Sequence, residues 1–366
     1  MTGIYIHVPF CKRKCPYCSF YSVEYDEGLA ESYVLAVKRN IEKYKGEAVF
    51  VDTVYFGGGT PSLLTPYQIR DILKSVKESF ILAPDTEITM EANPSSVDFE
   101  KLCDYRNAGV NRISFGVQSA CDSELMALGR LHDYELAENV VLQAKKAGFD
   151  NISCDLMIGT PRQTMESLLD SARSLCDLPI NHISAYMLKI EEGTMFDCDW
   201  VRDNIADEDT ICEMYENLIH VLKINGFSQY EISNFSKYGC ESRHNTKYWK
   251  GESYLGFGPS AHSYFDRKRY FVPSDIYEFV ASDYQEEIVC EENPDKVEEY
   301  VMLGLRLTEG ISFLRILELG GNPNQIYDRA QIFKGSGLME ISEEGLKLTP
   351  KGFLVSNSII AQLLYQ

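Results

Sequence analysis

The stretch YIHVPFCKRKCPYCSF, residues 5–20, places three cysteines within eight positions, at Cys11, Cys15 and Cys18. A β-strand would turn Cys18 to the face opposite the other two, and Pro16 disfavours a helix. The thiols therefore converge only if the segment is a loop around a metal centre, for which iron and zinc are the usual choices. No fourth cysteine is obvious, which suits an iron–sulfur cluster with one iron open to a ligand. The alternative is a structural zinc site that uses His7 as its fourth ligand.

The bulk composition is that of an acidic chain with an ordinary apolar core. Its 366 residues are 45% hydrophobic, and the formal net charge is −20. Nucleic acids and anionic membranes need a basic footprint, so neither is expected as a partner. We expect neither a secretion signal nor a transmembrane segment, because the required apolar runs are missing. The eleven cysteines then fit free thiols in a reducing cytoplasm better than disulfides, and we predict a cytoplasmic protein.

Six apolar, strand-like runs alternate with segments of helical period through residue 226. This alternation predicts an α/β fold of six βα units on a parallel sheet. An open flavodoxin-type sheet and a partial TIM-like barrel both satisfy the pattern. The barrel is favoured because polar segments stand at the C-terminal ends of successive strands. These segments are the cysteine loop, Gly57–Thr60, Glu91, Gln118 and Asp155.

The regular alternation is lost after residue 226. Residues 227–290 read as loops and short strands rich in Gly, Tyr and Ser, and residues 291–366 read as helices, a β-hairpin and a closing helix. The last pattern resembles a small α+β winged-helix domain. Such domains often bind DNA, but the many glutamates of this segment argue against that role. We therefore predict domains at 1–226, 227–290 and 291–366.

The spacing C-x3-C-x2-C followed by an aromatic residue resembles that of the radical S-adenosylmethionine (SAM) enzymes. Further motifs narrow the resemblance to the HemN/HemW family: GGGTP (57–61), EANP (91–94), GVQS (116–119), GRLH (129–132) and DLMIGTP (155–161). The resemblance implies a (β/α)6 barrel, a [4Fe–4S] cluster on Cys11, Cys15 and Cys18, and SAM on the fourth iron. Matching these motifs residue by residue, it also implies SAM contacts at Tyr5, Tyr17, Gly58, Gly59, Thr60, Glu91, Gln118, Arg130 and Asp155.

Several of these positions also have a purely structural interpretation. The glycines of 57–59 can simply make a turn, although they would equally let a ligand approach the backbone. Glu91 can cap the following helix, but Asn93 and Pro94 already form a competent turn, which favours a bond to a ribose diol. Arg130 can form a surface salt bridge instead of a bidentate pair with the SAM carboxylate.

Two features indicate which branch of the family the chain resembles. The coproporphyrinogen III dehydrogenases (HemN) typically carry a fourth cysteine two residues after the third and a long segment before the Y-x-H motif. Here Phe20 occupies that position, and four residues precede Tyr5. Both features favour the HemW branch, which implies a heme chaperone that delivers heme to client proteins and needs an electron donor for its cluster. Oxidative decarboxylation of coproporphyrinogen III is the alternative, and homodimer formation stays open.

A second motif, HNTKYW at 244–249, resembles the HNxxYW motif that the HemW branch links to heme. It marks His244, Asn245, Tyr248 and Trp249 as candidate heme contacts. An imidazole can ligate heme iron, and the two aromatic rings offer faces for a porphyrin. The alternative is that the aromatics belong to the core and that His244 is a satisfied hydrogen-bonding group. His262 could face either the SAM site or the heme, and Cys240 is an alternative thiolate ligand for heme.

Overall fold

The structure is a computed structural model that describes residues 1–365. Eight strands lie in its first part: β1 (Thr2–Val8), β2 (Phe10–Cys11), β3 (Val23–Glu24), β4 (Phe50–Gly58), β5 (Ile81–Ala92), β6 (Arg112–Gln118), β7 (Asn151–Ile158) and β8 (His182–Met187). Eight helices accompany them: α1 (Glu27–Glu42), α2 (Pro66–Ser79), α3 (Phe99–Ala108), α4 (Asp122–Ala127), α5 (Tyr134–Lys146), α6 (Met165–Cys176), α7 (Asp199–Asn204) and α8 (Glu208–Ile224).

The second part of the chain adds nine strands: β9 (Ser228–Gln229), β10 (Asn234–Ser236), β11 (Tyr254–Phe257), β12 (His262–Phe265), β13 (Lys268–Phe271), β14 (Ile288–Glu292), β15 (Ile311–Ser312), β16 (Met339–Ile341) and β17 (Gly345–Leu348). It also adds seven helices: α9 (Arg243–Trp249), α10 (Ile276–Ala281), α11 (Lys296–Gly304), α12 (Phe313–Glu318), α13 (Pro323–Ala330), α14 (Pro350–Leu354) and α15 (Ser356–Tyr365).

The six predicted parallel strands form one sheet in the order β1-β4-β5-β6-β7-β8. Strand β11 pairs parallel to β1 on its other edge, and β12, β13 and β14 extend that side in antiparallel fashion. At the far side β8 pairs with the antiparallel strand β10. The sheet is therefore an open, partial barrel, and the α/β fold class predicted from the sequence is confirmed.

The sequence alternates along each barrel strand so that one face is apolar and the other polar. Ile88 and Met90 of β5 enter the buried core beneath the helices, whereas Thr89, between them, faces the inside of the barrel. The inward positions of the six strands are mostly polar or small. They are Gly3, Tyr5, His7, Thr53, Tyr55, Gly57, Glu87, Thr89, Glu91, Arg112, Ser114, Gly116, Asn151, Ser153, Asp155, His182, Ser184 and Tyr186. This polar lining, which we call the lumen, supplies most of the site described below.

Helix α2 shows how local sequence signals fix the outer layer. Thr65 accepts a hydrogen bond from the backbone N–H of Gln68, whose side chain bonds back to the Thr65 N–H, which completes a capping box. Pro66 occupies the first helical position, where its missing N–H costs nothing. The helix then buries Ile69, Ile72, Leu73 and Val76 against the sheet.

The C-terminal residues pack around a core of their own. Strands β15, β17 and β16 form a three-stranded antiparallel sheet, and β16–β17 is the predicted hairpin. Apolar residues between Val301 and Leu363 fill the space between this sheet and helices α11 to α15. The small α+β, winged-helix-like unit is therefore present, whereas the domain limits at 226 and 290 stay predictions. Within residues 1–365, none of the helices combines the length and apolarity that crossing a bilayer requires.

Candidate functional site at the C-terminal end of the barrel

The cysteine loop begins where β1 ends and stays attached to the barrel at several points. Phe10 and Cys11 pair with Val23 and Glu24, which closes the loop at its base. The three thiols are free and partly buried. Cys11 accepts a hydrogen bond from the Thr60 hydroxyl at 3.7 Å. The loop is therefore held against the strand ends, as its sequence predicts.

The three thiols lie close enough for the charge of one to shift the pKa of another. Burial raises the pKa of Cys18, and the negative charges of Cys15 and Cys11 raise it further. Within residues 1–365, however, no three His, Cys, Asp or Glu side chains gather around a single-ion position. The ring nitrogens of His7 are both engaged, Nδ1 with the Tyr5 hydroxyl at 3.0 Å and Nε2 with the Tyr21 carbonyl at 3.1 Å. His7 is thus not placed to be the fourth ligand of a zinc ion.

The glycine segment at the end of β4, residues 57–59, packs directly against the cysteine loop. Gly58 has φ +111°, and a Cβ there would lie 2.7 Å from the His7 ring. A Cβ on Gly59 would lie 2.6 Å from the Phe10 carbonyl oxygen, and one on Gly57 would lie 3.2 Å from a Glu91 oxygen. The segment therefore does more than turn the chain. Its glycines bring bare backbone against both the loop and the lumen, which a ligand could approach closely.

Two half-buried carboxylates lie on either side of strand β6, Glu91 on β5 and Asp155 on β7. Glu91 accepts a hydrogen bond from the Tyr55 hydroxyl at 2.8 Å, and Asp155 accepts one from Ser114 at 3.3 Å. Burial raises the pKa of Glu91 to about 7; the Tyr55 hydrogen bond opposes this shift, and the charge of Asp155 adds to it. Burial also raises the pKa of Asp155 to about 6, against the hydrogen bonds from Ser184 and Ser114. Hydrogen bonds donated by a ligand would favour the ionised form of both groups and so lower the pKa of each.

Arg130 links the cysteine loop to the sheet. It donates to the Gly116 carbonyl at 2.6 Å, to Cys15 at 3.5 Å and to the Tyr17 hydroxyl at 3.3 Å. Its Nε is buried and has no hydrogen-bond partner within the described residues. This interior position excludes the surface salt bridge that the sequence left open. The unpartnered donor is what a ligand carboxylate would satisfy.

Gln118 and Tyr5 complete the set predicted around the site. Gln118 ends β6 with φ +76°, a left-handed conformation that is costly for a side chain with a Cβ. Tyr5 lies deeper in the lumen, beside Tyr55, with 6.2 Å between ring centroids. The structure thus brings eight of the nine predicted SAM positions and the three cysteines to one end of the barrel, whereas Tyr5 lies midway along the lumen, 6.4 Å from the His244 ring between centroids. Asp155 differs in one respect, because it lies within β7 rather than at its end.

The predicted heme residues lie at the opposite end, where helix α9 closes the lumen. The Glu87 carboxylate accepts hydrogen bonds from the backbone N–H groups of Arg243 and His244, both at 3.2 Å. His244 is 1% exposed, and its ring nitrogens bond to Thr53 and Tyr248, each at 2.8 Å. Burial lowers the pKa of His244 to about 3, so its imidazole is neutral.

The other two residues of the motif are also accounted for. Asn245 and Trp249 are partly exposed. Tyr248 lines a cavity of about 350 Å³ together with Tyr254, Tyr264, Arg269 and Met302. The motif therefore reaches both the lumen and an outer surface, at a distance from the cysteines.

Sequence reasoning missed several residues deep in the lumen. His182 bonds to Ser153 at 2.7 Å and to the Tyr230 hydroxyl at 2.8 Å, and Arg112 is 2% exposed. The signal was present in the sequence, because polar residues recur at every second position of strands whose other positions are apolar. These lumen residues can be predicted when the polar face of each strand is considered along its whole length, and not only at its C-terminal end.

Comparisons with known proteins agree with this architecture. The Radical SAM superfamily matches residues 5–175, and the HemN C-terminal domain matches residues 292–355. The solved structure of coproporphyrinogen III oxidase (HemN) from Escherichia coli, described as a radical SAM enzyme, superposes with a TM-score of 0.85 over 100% of this chain and 90% of that one, at 20% identity. The fold and site thus define a radical SAM protein with a HemN-type C-terminal domain.

Full-length relatives identify the family within that class. The heme chaperone HemW of Bacillus subtilis is 33% identical over 100% of this chain and 99% of that protein. HemW of Mycobacterium tuberculosis H37Rv is 34% identical over 99% of this chain and 94% of that protein. The chain belongs to the HemW family.

Proposed function

We propose that this protein is a heme chaperone that holds a [4Fe–4S] cluster, SAM and heme and passes heme to client proteins. The observation that carries the proposal is the convergence of the cysteine loop, the glycine segment, Glu91 and Asp155 at one end of the barrel. Membership of the HemW family supports the heme part. We also propose that the protein acts in the cytoplasm with a one-electron donor, and that 1–226, 227–290 and 291–366 are its functional units.

The donor set fits the cluster and SAM. Cys11, Cys15 and Cys18 would hold the cluster, because three soft thiolates are its preferred ligands. When bound, the cluster would supply one-electron chemistry toward SAM. Arg130 has an unpartnered buried donor for the SAM carboxylate, and the backbone of Gly58 and Gly59 is open to its amino group. Thr60, Tyr17 and Gln118 would complete this end of the site.

The two carboxylates would hold the nucleoside. When they are ionised, Glu91 and Asp155 accept hydrogen bonds through both oxygens, and a ribose diol offers two donors. Tyr55, which already donates to Glu91, fixes that carboxylate in place. Tyr5 forms the floor beneath it, and burial raises the pKa of both tyrosines so that they remain neutral donors.

For heme, His244 is the proposed ligand, with Asn245, Tyr248 and Trp249 around it. The neutral imidazole is the form that ligates iron. Since its two nitrogens bond to Thr53 and Tyr248, ligation requires Tyr248 to release Nε2. Tyr248 borders an outer cavity that also holds Tyr254 and Met302, and this cavity would be the route by which heme approaches.

The proposal is tested by anaerobic reconstitution followed by heme titration, with iron, sulfide and heme quantified together. The wild type should bind both the cluster and heme, Cys15→Ala should lose the cluster, and His244→Ala should lose heme. Tyr248→Phe should bind heme faster, because it frees Nε2. Failure of the reconstituted wild type to bind heme would refute the chaperone function. Unchanged heme binding by His244→Ala would refute only the ligand assignment. Formation of protoporphyrinogen from coproporphyrinogen III with SAM and a reductant would establish the dehydrogenase instead.

A further inference from the structure

Arg112 is a buried cation that the functions above leave without a role. It is the first residue of β6 and among the largest fully buried side chains, with 2% of its surface exposed. It shares a strand face with Ser114, two positions further on, and Ser114 is paired with Glu91 and donates to Asp155. Arg112 therefore projects into the lumen from directly below the two carboxylates.

The surroundings of Arg112 are unusual for a structural arginine. Its Nε is buried and has no hydrogen-bond partner within residues 1–365. A buried guanidinium is costly unless opposite charge balances it. Across the strands it pairs with the uncharged Thr89 and Asn151, so the compensating charges must be the carboxylates of other lumen positions.

Three such carboxylates line the lumen: Glu87 below, and Glu91 and Asp155 above. Glu87 already accepts hydrogen bonds from the start of helix α9. The charge of Arg112 lowers the pKa of Glu91 and of Asp155, against the larger effect of burial. Arg130 acts on Asp155 in the same direction. Other titratable or charged groups surround this set: Tyr5, Tyr55, Cys154, His182, Tyr186, Tyr230, Glu231, His244 and Lys247.

Among these neighbours the histidines cannot replace the arginine. Burial and the nearby arginine charge lower the pKa of His182 and His244, so both rings are neutral near pH 7. The tyrosines likewise remain neutral, because burial raises the pKa of each. Arg112 thus brings a permanent positive charge to the interior of the lumen.

We propose that Arg112 is a positioning residue for the SAM site, whose buried charge favours the ionised forms of Glu91 and Asp155, in which both oxygens of each carboxylate can accept hydrogen bonds from the nucleoside. The expected effect of Arg112 on SAM binding rests on the proposed SAM site. The effect of Arg112 on the ionisation of Glu91 and Asp155 does not depend on SAM. A neutral residue at position 112 would raise the pKa of both carboxyl groups, so that a smaller fraction of each would be ionised at neutral pH. A protonated carboxyl keeps its place in the site but loses acceptor capacity.

The test compares the reconstituted wild type with Arg112→Lys, Arg112→Gln and the double variant Arg112→Gln/Glu87→Gln. Infrared difference spectra over a pH series measure the carbonyl band of protonated carboxyl groups, with Glu91→Gln and Asp155→Asn to assign it. Equilibrium dialysis measures SAM binding over the same series. Arg112→Gln should shift the carboxyl midpoint upward by about one to two pH units and weaken SAM binding about tenfold per unit near pH 7. Arg112→Lys should restore the wild-type midpoint.

The double variant distinguishes an effect of Arg112 on Glu91 and Asp155 from a structural role in which Arg112 balances the charge of Glu87. It does so because it removes Arg112 and the Glu87 carboxylate together. If Arg112 serves Glu91 and Asp155, the double variant folds with its carboxyl midpoint still raised. A wild-type midpoint in the double variant, or in a folded Arg112→Gln protein, would overturn the proposal. Should wild-type protein show the carboxyl titration but bind no SAM, the electrostatic role of Arg112 would stand and the proposed SAM site would fail.

Discussion

Replacing Glu91 by Gln should stabilise the metal-free protein at alkaline pH while abolishing its affinity for SAM. Burial raises the pKa of Glu91 to about 7, from the ordinary glutamate value of 4.5. A carboxyl whose pKa is raised on folding favours the folded state only while it is protonated. Stability is therefore lost as the pH rises through the interval between these two values. Each pKa unit corresponds to about 1.4 kcal/mol, so the full cost approaches about 3 kcal/mol.

The glutamine side chain is nearly isosteric and cannot ionise, so it escapes this cost. Urea unfolding should give Glu91→Gln an advantage below about 1 kcal/mol at pH 5 that grows to about 2–3 kcal/mol at pH 8. Glu286→Gln, at an exposed position, controls for the loss of one negative charge and should show little change at either pH. An advantage that is the same at both pH values, or a variant less stable than wild type at pH 8, would refute the reasoning.

Two further predictions concern the attachment of the cysteine loop. Gly59→Ala should destabilise the protein by about 1–3 kcal/mol and lower its iron content after reconstitution, because the new methyl group would lie 2.6 Å from the Phe10 carbonyl oxygen. Gly28→Ala is the matched control, because the nearest atom to its methyl group would be an Asp26 carboxylate oxygen at 3.5 Å. In urea unfolding, Gly28→Ala should lose clearly less stability than Gly59→Ala. Tyr33→Phe should cost about 1–3 kcal/mol in the same assay, since the buried Tyr33 hydroxyl donates to the His7 carbonyl at 2.6 Å. A Tyr33→Phe protein as stable as wild type would contradict this.

Sequence patterns were sufficient for the barrel and for its cysteine end. The six strand-like runs predicted before residue 226 all form strands of the parallel sheet, β7 (Asn151–Ile158) among them, because apolar periodicity marks each run. The position of Cys11, Glu91 and Gln118 at one end of the barrel followed from a general property of parallel sheets, whose C-terminal strand ends lie together. These features depend on local pattern and topology, which a sequence expresses directly.

Other features depend on contacts between distant segments, and the sequence did not show them. Strand β11 adds in parallel to β1 and so joins residues 254–257 to residues 3–6. Neither segment carries a sequence signal that identifies the strand with which it pairs. The closure of the lumen by α9 depends on Glu87, which reads as an ordinary strand residue until its two bonds to the helix start are seen. The placement of His244 away from the cysteines follows from that contact.

The pairing of β1 on both edges affects how the protein can fold during its synthesis on the ribosome. One edge is covered by β4 early, but the other waits for Tyr254–Phe257. At roughly 5–20 residues per second, translation needs on the order of ten seconds or more to supply that segment. During this interval the nascent chain displays an uncovered strand edge, a hazard for aggregation, directly before the segment that would receive iron and sulfide. Incorporation of the cluster would therefore be safest after β11 has been synthesised and has paired with β1.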